Sequence, residues 1–144
     1  MQEKNTSKKK FFIIGIIVIL GLIVGGIVWA LISKDEIPEI KAKDVARIYY
    51  EDFTENGEKE LDIDQFLTYY NQIHDIKNNK TGEGTTPESR IVIELKNGKE
   101  IGIYDQSKKF EINFQDDNGK TQQYWGMQEE IYNMLRHGAY EGEK

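Results

Sequence analysis

Hydrophobic and polar positions along the chain follow three successive patterns. The first is an unbroken apolar run. Phe11 to Ile32 forms 22 consecutive residues without a charge. At about 1.5 Å of rise per residue it is long enough, as a helix, to cross a bilayer core of roughly 30 Å. The second is helical spacing. Ile63, Phe66, Leu67 and Tyr70 recur at i, i+3, i+4 and i+7, and Met127, Ile131, Met134 and Leu135 form a similar stripe. The third is strict alternation. Ile91, Ile93 and Leu95 share one phase, continued by Ile101 and Ile103 and then by Phe110, Ile112 and Phe114, with mostly polar residues between them.

These patterns predict the elements. From Arg90 the chain reads as an antiparallel meander with one apolar and one polar face. Its turns fall at Asn97-Gly98, Gln106-Ser107-Lys108 and Asp116-Asp117-Asn118-Gly119, and its fourth strand runs from Thr121 to Trp125. Asn97-Gly98 predicts a two-residue type I′ hairpin. Helices are expected over 63–72 and 127–137. Asp62 serves as N-cap of the first, with Gln65 as reciprocal partner. Glu129 and Glu130 open the second, Arg136 and His137 close it, and Gly138 caps it, each sign matching the helix dipole. Asp44 to Phe53 fits a helix or a strand, and its β-branched and aromatic content favours a strand. Glu55 to Glu58 reads as a turn, Ile73 to Ile76 as a short strand, and Asn78 to Glu88 as an exposed loop.

The expected fold class is therefore α+β: an N-terminal transmembrane helix, then a small antiparallel meander sheet of four to six strands with two helices packed on one face. The expected organisation is a basic cytoplasmic leader (1–10), the transmembrane helix (11–32), a short polar tether (33–43), an extracytoplasmic domain (44–138) and a frayed tail (139–144).

Charge sets the orientation. The leader carries Lys4, Lys8, Lys9 and Lys10 against Glu3, whereas Lys34, Asp35 and Glu36 follow the apolar run. By the positive-inside rule the N-terminus is cytoplasmic and the C-terminal domain extracytoplasmic, a single-pass protein of the cell membrane. Trp29 suits the interfacial belt. A signal peptide cut after Ala30 is the rival reading, but the run exceeds the usual signal core of roughly 7–15 residues. Gly21 and Gly25 are four apart, a spacing that lets helix backbones approach, and are the candidate contact for a homodimer through the anchor. Glycine is common in membrane helices without such a role.

The chain's net charge is −6, and the leader's four lysines against one glutamate leave −9 on the remainder. Such an acidic domain is a poor nucleic-acid binder. The absence of cysteine excludes disulfides, thiolate metal sites and thiol nucleophiles. An exported domain built this way, with lysine greatly outnumbering arginine, suits a Gram-positive bacterium.

Candidate chemistry is sparse. His74 and His137 lack metal-ligand spacing. Asp116 to Gly119 resembles the start of a calcium loop, but Met127 stands where the bidentate glutamate belongs. No nucleophile motif or phosphate loop is present. The sequence therefore predicts no catalytic residues, no cofactor and no metal. Tyr49, Tyr69, Tyr104, Tyr124 and Trp125 are the candidate protein-binding surface, because tyrosine and tryptophan are enriched at interface hot spots; their structural alternative is core or sheet packing.

In layout, Val45 to His137 resembles the small extracytoplasmic domains of unknown function that Gram-positive bacteria attach to membrane anchors. The resemblance rests on no diagnostic motif and carries no site residue. The expected function is a non-catalytic protein-binding or accessory module, whether immunity, inhibitor or regulatory, whose partner is an envelope or membrane protein. The alternative is a cell-envelope hydrolase using carboxylates such as Asp62, Asp64 or Glu94, which requires two acids in one cleft with separated pKa values.

Overall fold

The computed structural model describes residues 13–23, 35–55 and 57–138. It divides into two units, residues 1–34 and 35–144. In the first, residues 13–23 are helical. No helix among the described residues is long and apolar enough to cross a membrane. The ends of the apolar run, Phe11, Phe12 and residues 24–32, lie outside the described residues, as does Gly25.

The second unit is α+β, built on one seven-stranded sheet in which every pair is antiparallel. The strands are β1 (Val45–Asp52), β2 (Gly57–Leu61), β3 (His74–Asn78), β4 (Ser89–Leu95), β5 (Glu100–Asp105), β6 (Phe110–Gln115) and β7 (Thr121–Met127). Helix α1 (Ile63–Tyr70) lies between β2 and β3, and α2 (Glu129–His137) follows β7. The order across the sheet is β2-β1-β4-β5-β6-β7-β3. The meander of β4 to β7 is as the alternation predicts. The ambiguous segment is β1, an interior strand held between the edge strand β2 and β4, where its aromatic and β-branched residues are buried.

The sheet exceeds the expected four to six strands because of β2. Gly57–Leu61 carries Glu58, Lys59 and Glu60, and only Leu61 of its large apolar type, so nothing in its own pattern marks a strand. Its conformation comes from pairing with β1. Both edges discourage further pairing: β2 is short and charged, and β3 is interrupted between His74 and Lys77, with Asp75 at a φ of 54°.

The core sits on one side of the sheet. Ile48, Tyr50, Ile91, Ile93, Ile101, Ile103, Phe110 and Ile112 meet Phe66, Leu67 and Tyr70 of α1 and Ile131 and Leu135 of α2. Helix α1 packs on β1, and α2 on β4 and β5. The segment expected as a polar tether joins this core: Ile40 is buried, Ile37 packs beside it, and the Tyr70 hydroxyl donates to the Pro38 carbonyl at 2.9 Å.

Local signals explain most boundaries. Asp62 accepts from the Gln65 backbone N–H at 2.8 Å, the expected N-cap. The reciprocal half of the capping box is absent, because the Gln65 side chain donates instead to the Tyr69 hydroxyl. Met127 ends β7 rather than opening α2, whose N-cap is Gln128, accepting from the Ile131 N–H. Asn97-Gly98 is not a type I′ turn. Gly98 alone has positive φ, at 84°, and its N–H donates to the Leu95 carbonyl while Leu95 N–H donates to Lys99. This is a three-residue loop, a type I turn closed by a left-handed glycine, and Asp116 to Gly119 repeats it. The loop after β3 is not wholly exposed: Asn79 is buried, its amide donating to the Glu111 carboxylate at 2.7 Å and the Glu83 carbonyl at 2.8 Å.

Candidate functional site

Two places in the second unit gather chemistry. The first is the helix-free face of the sheet. Register aligns a row across it: Glu51 opposite Arg90, Arg90 opposite Tyr104, Tyr104 opposite Glu111, Glu111 opposite Trp125, and Trp125 opposite Lys77. Acid, base and aromatic residues thus run across six strands on one side of the sheet. Arg90 Nε donates to Glu51 at 2.6 Å and its guanidinium reaches the Tyr104 hydroxyl at 3.5 Å. Lys109 Nζ stands 4.3 Å from the centroid of the Trp125 ring, a cation–π contact.

A parallel row puts Tyr49 opposite Val92 and Val92 opposite Gly102, with Asn113 beyond. Val92, Gly102 and Asn113 of this row line a groove of about 340 Å³. The Tyr104 ring folds over Gly102, where a β-carbon would lie 2.6 Å from it and push the ring aside. Tyr49 is only 6 % exposed, covered by the Arg47 guanidinium 4.2 Å above its ring. Arg47 forks onto Glu94 at 2.9 and 3.0 Å and reaches Glu58 at 2.7 Å. Those hydrogen bonds hold the Arg47 pKa above its ordinary value and the Glu94 pKa below its own.

The second place is a cleft of about 730 Å³ at one end of the helix-covered face. There the inward phase of three central strands turns polar. Asp52 continues the phase of Ile48 and Tyr50, Ser89 that of Ile91 and Ile93, and Asp105 that of Ile101 and Ile103. Asp52 stands directly opposite Ser89. The C-terminal end of α2, from Leu135 to Gly138, lines the other wall.

The polar groups at this mouth differ in how well they are satisfied. Ser89 Oγ donates to the Leu135 carbonyl at 2.7 Å. Asp52 Oδ1 accepts from the Thr54 N–H, the Thr54 hydroxyl and the Glu55 N–H, bonds that lower its pKa. Asp105 is only 7 % exposed, and its Oδ1 has no hydrogen-bond partner. Arg136 Nη1 forms an ion pair with it at 3.7 Å, longer than a hydrogen bond. Burial pushes the Asp105 pKa up, Arg136 opposing it and Glu88 adding to it. A buried acceptor left unsatisfied costs about 1–3 kcal/mol, and more when charged.

The five aromatics singled out from the sequence do not form one patch. Tyr49, Tyr104 and Trp125 share the helix-free face. Tyr124 belongs to the covered side, its ring stacked on Phe114 at 5.8 Å, and Tyr69 packs against the core from α1. Gly21 lies in the described helical stretch, with nothing within 4 Å of a β-carbon placed on it. Of the three carboxylates considered for hydrolysis, Asp62 and Asp64 line one surface hollow with Glu60 and Arg47, while Glu94 is engaged by that same arginine. No group of three or more His, Cys, Asp or Glu side chains among the described residues converges as a metal site.

Asp105 was not among the sequence candidates. Its signal was nevertheless present: a charged residue two positions after Ile103, in the phase that points inward. The convergence of Asp52, Ser89 and Asp105 needs the cross-strand register, which no single strand reveals. The chain matches no protein-family model, no curated protein and no solved structure.

Proposed function

We propose that this chain is a single-pass membrane protein whose extracytoplasmic α+β domain is a non-catalytic accessory module that binds another envelope or membrane protein. The apolar run and its lysine-rich leader support the anchor and its orientation. The observation that carries the binding role is the set Glu51, Arg90, Tyr104, Trp125 and Lys77 on the face no helix covers, with Glu111 of the same row buried beneath Asn79. Rigid aromatic rings interleaved with both charge signs suit a protein surface of mixed charge. Both sheet edges discourage strand addition, so the partner docks on the face.

The absence of native cysteine makes the test clean. Single-cysteine variants at Ser7 and Lys80 report topology with an impermeant maleimide in intact cells. Lys80→Cys labels and Ser7→Cys does not; the opposite pattern removes the orientation. Photo-crosslinkers placed at Tyr104 and Trp125 of the full-length protein then capture one dominant envelope protein, whereas one at Thr68 on α1 does not. Equal capture from all three positions, or none, removes the docking face.

One observation favours the hydrolase alternative. Asp52 and Asp105 line the same cleft, one with its pKa lowered and the other with its pKa raised. Against it, Asp52 Oδ1 is consumed by three turn hydrogen bonds and Oδ2 lies 3.4 Å from the Tyr50 hydroxyl, so this carboxylate is occupied as a turn-former.

A further inference from the structure

We infer that the cleft between the Asp105 end of β5 and the C-terminal end of α2 is a binding site for an organic cation, a guanidinium or primary ammonium group, with Arg136 as the resident group that such a ligand displaces.

The cleft's volume, about 730 Å³, lies within the ordinary range of ligand sites, roughly 300–1,000 Å³. Its charged lining is mostly acidic: Asp52, Glu55, Glu58, Glu88 and Asp105 against Lys59 and Arg136, with His137 beside them. These acids are not equivalent. Asp52 is committed to the Thr54 turn and Glu58 to Arg47. Asp105 is more than nine-tenths buried and lines the cleft, and its Oδ1 holds no hydrogen bond. Its ion pair with Arg136, at 3.7 Å, is too long for a hydrogen bond, and a forked guanidinium or an ammonium seated closer supplies one with the matching charge.

Arg136 shows the fit of a guanidinium at this carboxylate. Its guanidinium faces Asp105 but stops at 3.7 Å, and it also stands 5.7 Å over the Tyr132 ring. Its side chain is 40 % exposed. It sits in the last turn of α2, ahead of Gly138, and lines the cleft. Such a side chain can swing into solvent and leave its position to a ligand's cation. The apolar wall from Leu135 and the Tyr50 ring gives the ligand's alkyl stem a surface to lie on. A divalent metal is a poorer occupant, because no three donor side chains converge among the described residues.

The inference does not depend on the helix-free face or the membrane anchor, so it stands or falls apart from the proposed function. Its test is a ¹H–¹⁵N NMR titration of the full-length protein in detergent micelles. The probes are acetyl-Gly-Arg-Gly-amide, the same peptide with citrulline replacing arginine, and n-butylguanidinium. The arginine peptide should shift the Ser89, Asp105 and Gly138 resonances saturably, and the neutral citrulline peptide should bind at least ten-fold more weakly. Asp105→Asn should weaken arginine-peptide binding at least ten-fold. Arg136→Gln, which removes the resident cation, should tighten it several-fold. Equal binding of the citrulline peptide, or no saturable shift with either cation, overturns the site. Should Asp105→Asn lose its dispersed spectrum, Arg136→Gln decides: unchanged or weaker binding overturns the site. Tighter binding of the peptide than of n-butylguanidinium assigns the ligand to a protein side chain, and the reverse assigns it to a free small cation; both support the cation site.

Discussion

Ile103 and Asp105 lie two residues apart on one strand, in the same inward phase, and have opposite environments. Ile103 is fully buried between neighbours of its own kind, opposite Ile91 on one side and Ile112 on the other. Asp105 is nearly as buried but reaches the end of the sheet, where Asp52 and Ser89 replace the isoleucines and α2 terminates. The middle of the covered face is built for stability. Its end carries a desolvated carboxylate whose Oδ1 accepts no hydrogen bond and meets Arg136 only as a 3.7 Å ion pair, a feature that lowers stability unless a closer donor binds there. The same layer therefore serves as core in one half and as candidate site in the other.

The largest expected break of this contrast comes from the core half. Phe110→Ala should cost about 3–5 kcal/mol, because Phe110 is completely buried and its removal leaves a cavity. Urea unfolding of the full-length protein in detergent checks this, and a loss below 1 kcal/mol would mean that the core is not packed as described. Gly102→Val addresses the opposite face. The new side chain meets the Tyr104 ring, and the cost should be about 1–3 kcal/mol with loss of partner crosslinking from position 104.

Gly119→Ala should cost about 1 kcal/mol, because φ there is 76° and alanine is strained in that region. Asp105→Asn should move stability the other way. Burial raises the folded-state pKa of Asp105 above its unfolded value, so the ionised form is disfavoured by folding once pH exceeds both. Wild type therefore gains stability as pH falls through that window, and the advantage of Asp105→Asn should be largest at neutral pH and shrink on acidification. Thermal melts across pH 4–8 read this directly. Asp52, Glu94 and Asp116, whose pKa values are lowered by hydrogen bonds, work with the opposite sign and lose their stabilising effect as pH falls. The smallest effect belongs to the surface: Arg47→Gln should cost under about 1 kcal/mol, with the difference shrinking in high salt.

The meander and both helices were legible because each buries one face and leaves the other wet, so period and burial coincide. Residues 45–52 resisted because a central strand with Tyr49 on one side and Tyr50 on the other shows no clean alternation. Strand β2 left no trace because an edge strand of alternating charge buries almost nothing, and its pairing is dictated by β1. The Asn97-Gly98 dipeptide marked a hairpin correctly, but the choice between two- and three-residue loops depends on strand register, which the dipeptide does not carry. The aromatic candidates divided between faces for the same reason: Tyr124 and Trp125 are adjacent in sequence and therefore point to opposite sides of β7. Asp105 could have been found by asking which charged residue continues an isoleucine stripe.

The measurement that tests the account most directly is a ¹³C NMR titration of the Asp105 carboxyl carbon in the full-length protein, alone and with the acetyl-Gly-Arg-Gly-amide peptide. The account predicts a midpoint above the ordinary aspartate value of about 3.9 in the free protein, and a lower midpoint once the peptide's guanidinium is bound. A midpoint at or below the ordinary value, unmoved by the peptide, would contradict it.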